Sequence, residues 1–165
     1  MNKMDRKKEL RLYNVLFPIW MLIWWPSWLW LALIPLNYGV DALVLHLSLP
    51  ADMDRRAFRR KHTWKICLAG FLSDFLGSAA IFGLYALDLS RDFTYDIAYD
   101  PFGSPAAFAA TIAAIGISAA AIFLLDRRIL LRAGLDPEAA RRAARNMAVF
   151  TAPYLFLIPS GLLYR

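Results

Sequence analysis

Residues 105–125 read PAAFAATIAAIGISAAAIFLL, a stretch of small and apolar residues without a single charged side chain. A helix rises 1.5 Å per residue and the hydrocarbon core of a bilayer is about 30 Å thick, so about 20 such residues cross it once. The stretch therefore predicts a membrane-spanning helix.

The composition of the whole chain agrees with this interpretation. Of its 165 residues, 59% are hydrophobic and 19% are charged, whereas a soluble domain carries about 25% charged residues. So much apolar surface excludes disorder, and a lone cysteine, Cys67, excludes an intrachain disulfide. We predict an all-α integral membrane protein, with residues 1–165 forming a single polytopic domain.

Further spans are predicted by the same criterion. Residues 66–87 and 147–164 are each long and apolar enough to cross once, whereas 12–49 is too long for a single crossing. Basic residues flank 12–49 on both sides, so it should enter and return as a tryptophan-rich hairpin. We place the bend at Pro26-Ser27, with arms 12–25 and 28–49, and keep a bend at 35–39 as the alternative.

The first arm is short for a full crossing, so two alternatives stay open: a mismatched full span or a re-entrant helix. The prediction is thus a compact bundle of four to five membrane helices.

The positive charges set the predicted orientation. Among the 19 Lys and Arg residues, all except Arg91 and Arg165 fall in the N-terminal tail, between 50 and 65, or between 126 and 146. By the positive-inside rule these regions are cytoplasmic, which puts the N-terminus inside and the C-terminus outside. We expect them to contact anionic lipid headgroups, and we do not expect nucleic-acid binding, because the charges bracket apolar spans.

Three connecting segments carry local signals. Residues 50–61 and 136–146 are predicted to be interfacial helices. The second should have Asp136 as N-cap and Pro137 in its first turn, and should run unbroken into the last span. Residues 88–104 are predicted to be an outer solvated loop. Within the span 105–125, we expect the small-residue face to pack against a helix neighbour, either within the bundle or across a dimer. This face consists of Ala109, Ala113, Gly116 and Ala120.

Two acidic residues inside predicted spans are the most informative feature of the sequence. Asp41 and Asp74 lie at similar distances from the basic segment between their helices, so we expect them at matching depth. An acid within a span usually faces the bundle interior. On regular helices Asn37 and Ser48 share a face with Asp41, and Ser78 shares a face with Asp74.

Oxygen ligands of this kind suit a proton or a hard cation such as sodium. The alternative is that both acids only fix helix packing. The chain has no phosphate-binding loop, zinc motif or nucleophile elbow, and we predict no cofactor.

The leading functional hypothesis is a cation- or proton-handling channel or transporter, or a subunit of one, using Asp41 and Asp74 assisted by Asn37, Ser48 and Ser78. The alternative is a non-catalytic scaffold or regulatory subunit of a larger membrane complex. A homodimer would enlarge so small a unit. A lipid-modifying enzyme ranks third, because no convincing set of catalytic groups can be assembled.

Overall fold

The computed structural model describes residues 30–87 and 89–160. Within these ranges the chain forms helices and turns, without a strand. The helices in order are α1 (Trp30–Ser48), α2 (Arg55–Ala86), α3 (Arg91–Tyr99), α4 (Pro105–Arg132) and α5 (Pro137–Phe150), followed by a 3-10 helix (Tyr154–Leu157). The prediction of an all-helical fold is confirmed for the described residues.

Three of these helices, α1, α2 and α4, are long and apolar enough to cross a membrane by length and composition. This finding is compatible with the predicted membrane protein. The arm 28–49 corresponds to α1, whereas the arm 12–25 and the bend at Pro26-Ser27 lie outside the described residues. The alternative bend at 35–39 is wrong, because α1 continues through Pro35 without a break.

Helix α2 joins two segments that we predicted separately. It begins after Asp54, whose carboxylate accepts from the backbone N–H groups of Arg56 and Ala57 at 3.1 Å each, which satisfies two donors of the first turn. From there it runs for 32 residues as one helix. The predicted interfacial helix 50–61 thus starts at Arg55 and merges with the span 66–87.

Helix α4 extends beyond the predicted span 105–125 and ends only at Arg132. Gly134 stops it with a positive φ of 89°. The N–H of Leu135 donates to the carbonyl of Leu130 at 3.1 Å and that of Gly134 to Leu131 at 3.0 Å, the Schellman pattern of helix ends. The residues from 126 to 132 are therefore helical, and the inner connection is short.

The outer connection 88–104 is not the loop we expected, since residues 91–99 form α3. Ser90 caps this helix by accepting from the N–H of Phe93 at 3.3 Å. Ile97 and Ala98 are buried, so α3 packs onto the bundle and is not fully solvated.

Helix α5 confirms its predicted start and contradicts its predicted continuation. The carboxylate of Asp136 accepts from the N–H groups of Glu138 and Ala139, and Pro137 occupies the first turn. The helix ends at Phe150 and does not continue as a span over 147–164. The physical reason is Pro153, which has no N–H to donate to the carbonyl of Val149 and disfavours helix at the preceding residue.

The hydroxyl of Tyr154 donates to that same carbonyl of Val149 at 2.6 Å, so the acceptor that Pro153 leaves free is satisfied. The chain then turns into the 3-10 helix. This break positions the residues after Phe150 across the face of the bundle.

Helices α2 and α4 pack closely and run in opposite directions. The hydroxyl of Ser118 donates to the carbonyl of Ser73 at 3.0 Å, and Gly77 lies directly against Ser118. The small-residue face of α4 does not pack within the bundle, since its four members are exposed, and its packing across a dimer stays a prediction. The inward face instead carries Thr111, Ala114, Ser118 and Ile122, all buried.

Candidate carboxylate site

A cavity of about 570 Å³ lies between α1, α2 and the segment that follows α5. Asn37 and Asp41 line it from α1, and Gly70 and Asp74 line it from α2. Its remaining wall is residues 150–158, which reach this position because the helix ends at Phe150. Three of the five predicted site residues, Asn37, Asp41 and Asp74, therefore line the same cavity, as the helical periodicity of α1 and α2 implies.

Asp41 is the most buried of these polar side chains, with 6% of its surface exposed. The thiol of Cys67 lies near its carboxylate, and both side chains line the cavity. Oδ2 of Asp41 also lies beside Gly70, where a Cβ would be 3.9 Å away.

Asp74 is half-buried and lies one helical turn beyond Gly70 on α2. Its Oδ1 is shielded from solvent and has no hydrogen-bond partner among the described residues. An ionised carboxylate in this position would be costly without a proton or a counter-ion.

The expectation of matching depth needs correction. Asp41 lies level with Cys67 and Gly70, so Asp74 is displaced from it along the bundle axis by about 6 Å, the rise of four residues. The two carboxylates still line the same cavity.

Ser48 and Ser78 lie elsewhere. Ser48 is buried at the end of α1, where its hydroxyl accepts from the amide of Asn146 on α5 at 3.0 Å. Ser78 is fully buried, and its hydroxyl donates to the carbonyl of Phe75 on its own helix at 2.9 Å. Neither side chain lines the cavity.

Sequence reasoning missed a third buried acid, Asp126 of α4. It was assigned to the inner connection because it follows the apolar run and precedes Arg127. The structure continues α4 through this position, and Asp126 is 0% exposed. Neither of its carboxylate oxygens has a hydrogen-bond partner among the described residues.

The spacing of Asp126 from Ile122 could have indicated that Asp126 is buried. Ile122 and Leu130 lie one turn before and after it, so all three residues share a helix face, and both apolar neighbours belong to the buried core.

The three carboxylates form a staggered series along the bundle. The contact between Ser73 and Ser118 sets the register of α2 and α4, and Asp126 lies about 12 Å from that contact, the rise of eight residues. Asp74 is adjacent to Ser73. Asp41 lies beside Gly70, one turn from Asp74 toward the start of α2, so its level falls between those of Asp74 and Asp126.

The cavity has acidic but no basic side chains in its described lining, and this imbalance determines its chemistry. No Lys, Arg or His is among the described residues that line the cavity. In the described ranges, no group of three His, Cys, Asp or Glu side chains could hold a metal ion. Buried acids without a basic partner must be neutralised by protons or by a bound cation.

The fold and the site together define an all-helical protein with three helices long enough to cross a membrane and a series of buried carboxylates between them. No protein-family model, no curated protein and no solved structure matches this chain.

Proposed function

We propose that this protein is a multi-pass membrane protein that handles protons or another monovalent cation, as a channel, a transporter or a subunit of one. Asp41 and Asp74 bind the ion, and Asn37 assists them. Asp126 extends the series toward the basic end of the bundle. In this proposal the basic end is cytoplasmic, so the N-terminus is inside and the C-terminus outside.

One observation carries the proposal: two carboxylates and an amide line the same cavity, which has no basic lining residue among those described. Acids that served only helix packing would be expected to have their oxygens satisfied by neighbouring donors. Oδ1 of Asp74 and both oxygens of Asp126 lack such donors in the described part of the chain. Buried carboxylates at three levels along the bundle, two of them with unsatisfied oxygens, suit stepwise movement of a proton.

Proton flux into proteoliposomes tests the proposal. The protein is reconstituted with a pH-sensitive dye inside the vesicles, and flux is driven by a potassium diffusion potential with valinomycin. We expect flux for the wild type and a loss of about tenfold or more for Asp41→Asn, because the amide removes the exchangeable proton while keeping the shape of the side chain. Asp74→Asn and Asp126→Asn should reduce it in the same way.

Asp92→Asn is the matched control, since Asp92 is an exposed acid on α3 far from the cavity lining. Its flux should equal that of the wild type. Unchanged flux in the double variant D41N/D74N, with the protein still monodisperse, would overturn the proposal.

The alternative, a non-catalytic partner of other membrane subunits, is favoured by a different observation. The small-residue face of α4 is exposed, and nothing lies within 4 Å of the position a Cβ would take at Gly116. Small residues permit close helix approach in membranes, so this face would suit another copy of the chain or another subunit. Gly116→Leu should then abolish an oligomer or a co-purifying subunit seen with the wild type on size exclusion with light scattering. A monomeric wild type without a partner would exclude this alternative.

A further inference from the structure

The cavity that holds Asp41 and Asp74 is much larger than a proton or a metal ion requires. Its volume of about 570 Å³ falls within the range of sites for small organic molecules, about 300 to 1,000 Å³. Most of its lining is apolar. The size and the lining both need an explanation beyond the binding of a bare ion.

Aromatic side chains form a large part of this lining. Trp30 of α1 stacks on Phe71 of α2 with ring centroids 5.7 Å apart, and both line the cavity. Phe150, Tyr154 and Phe156 contribute from the opposite wall. Aromatic faces attract organic cations through the ring quadrupole, most strongly where water is excluded.

The polar groups supply the complementary charge. Asp41 and Asp74 are the acids in the lining, and no described basic residue neutralises them there. The other titratable groups around Asp41 are the thiol of Cys67, Asp126 of α4 and the phenol of Tyr154 in the far wall. A cavity with aromatic walls and two acids is complementary to a molecule that is both apolar and positively charged.

The surroundings of the cavity suit a ligand that arrives from an apolar phase. The cavity is partly open, and several of its apolar lining residues are largely exposed. Phe150 is 65% exposed and Leu155 is 52% exposed. A ligand that partitions into lipid would meet this opening directly.

We infer that the cavity binds a lipophilic organic cation, held by Asp41 and Asp74 and packed against the aromatic walls. This inference rests on the proposed function and names its substrate class. When the cation binds, a carboxylic acid in the cavity releases its proton to water, so one positive charge enters as one leaves. The organic cation and protons therefore compete for the carboxylates of Asp41 and Asp74.

Tetraphenylphosphonium is a suitable probe, because it is apolar, permanently charged and free of hydrogen-bonding groups. Equilibrium dialysis of radiolabelled probe against the purified protein in detergent measures its binding. We expect saturable binding that weakens as the pH falls, with release of protons into a weakly buffered solution. Triphenylphosphine oxide, which is similar in shape and neutral, should not compete.

The variants locate the site. Asp41→Asn should weaken binding by about tenfold or more, because a charge pair in a desolvated site is worth at least about 1.4 kcal/mol. Asp74→Asn should act in the same direction, and since Asp74 is only half-buried, it serves if the Asp41 variant fails to fold. Asp92→Asn on the exposed face of α3 should bind as the wild type does.

The outcomes separate this inference from the proposed function. Absence of saturable binding, or equal competition by the neutral analogue, overturns the organic-cation site, and proton flux in proteoliposomes then still supports the proposed function. Saturable binding that depends on the two acids supports the site even where no proton flux is found. The absence of both overturns both.

Discussion

At the scale of single residues, Gly77 makes a close contact between α2 and α4. A Cβ at this position would meet the hydroxyl of Ser118 and would lie 2.8 Å from the carbonyl oxygen of Ala114. The carbonyl belongs to the backbone of α4 and cannot rotate away. The lack of a side chain at Gly77 is therefore what allows α2 and α4 to approach closely enough for the hydrogen bond between Ser118 and Ser73.

Gly77→Ala should lower the free energy of unfolding by about 1 to 3 kcal/mol, the typical cost of overpacking. The melting temperature of the detergent-purified protein measures this effect. Gly83→Ala is the matched control on the same helix, because nothing lies within 4 Å of a Cβ there. That control should raise stability by about 0.5 to 1 kcal/mol, since alanine is the better helix former. Equal melting temperatures of the two variants would contradict the close packing at Gly77.

Residue patterns predicted part of the site because helix periodicity is a local property. Asn37 and Asp41 are one turn apart on α1, and they line the same cavity as the pattern implies. Ser48 is on the same face of α1 as Asp41, but it lies about 10 Å beyond Asp41 along the helix axis. There its hydroxyl accepts from Asn146 of α5 and does not reach the cavity. Which side chain meets which across two helices depends on their relative register, and the sequence of one helix does not contain that information.

At the scale of elements, α5 differs most from its prediction and carries a surface of its own. Its inward face is made of alanines and Met147, while its arginines point outward. A cleft of about 510 Å³ lies between α4 and α5. Its lining consists of Phe123 from α4 and of Glu138, Arg141, Arg142 and Arg145 from α5. Three guanidinium groups beside an apolar ring suit the phosphate of an anionic lipid headgroup.

We expect phosphatidylglycerol to raise the melting temperature of the protein in detergent, whereas phosphatidylcholine should not. A lipid at ten times its Kd would stabilise by about 1.4 kcal/mol. The triple variant R141Q/R142Q/R145Q should lose this response. Inorganic phosphate at the same concentration separates a lipid headgroup from a simple anion, because only the lipid also covers Phe123.

The triple variant R56Q/R60Q/K61Q is the matched control for this cleft. It removes the same charge from exposed positions of α2 at the same end of the bundle, outside the cleft lining. Its response to phosphatidylglycerol should match that of the wild type. Equal loss in both triple variants would mean that the lipid responds only to total charge.

Element boundaries show what the sequence could and could not predict. The starts of α2 and α5 follow from acidic caps at Asp54 and Asp136, because a cap satisfies donors within its own first turn. The C-terminal ends of the helices are harder to predict from the sequence. Helix α4 continues seven residues beyond the apolar run that defined it, since only one face of its last turns is buried against α5 and these turns do not need to be apolar throughout. That continuation is what buries Asp126.

At the scale of the whole molecule, the antiparallel packing of α2 and α4 gathers the positive charge at one end. The first turns of α2, the last turns of α4 and the start of α5 meet there. Every Lys and Arg that the structure describes, apart from Arg91, belongs to these segments. The charge asymmetry seen along the chain is thus also an asymmetry in space, as a protein oriented by the positive-inside rule requires.

This arrangement predicts the orientation of the protein in a cell membrane. Arg91 at the start of α3 and Arg132 at the end of α4 are both exposed and lie at opposite ends of the bundle. In a Cys67→Ala background, a membrane-impermeant maleimide should label the Arg91→Cys variant in intact cells. It should label Arg132→Cys only after the membrane is permeabilised. The native Cys67 is buried, so the background change removes slow labelling from within the bundle. The reverse pattern would invert the topology and would place the Asp126 end of the carboxylate series outside, whereas equal labelling of both variants in intact cells would show that these helices do not cross the membrane.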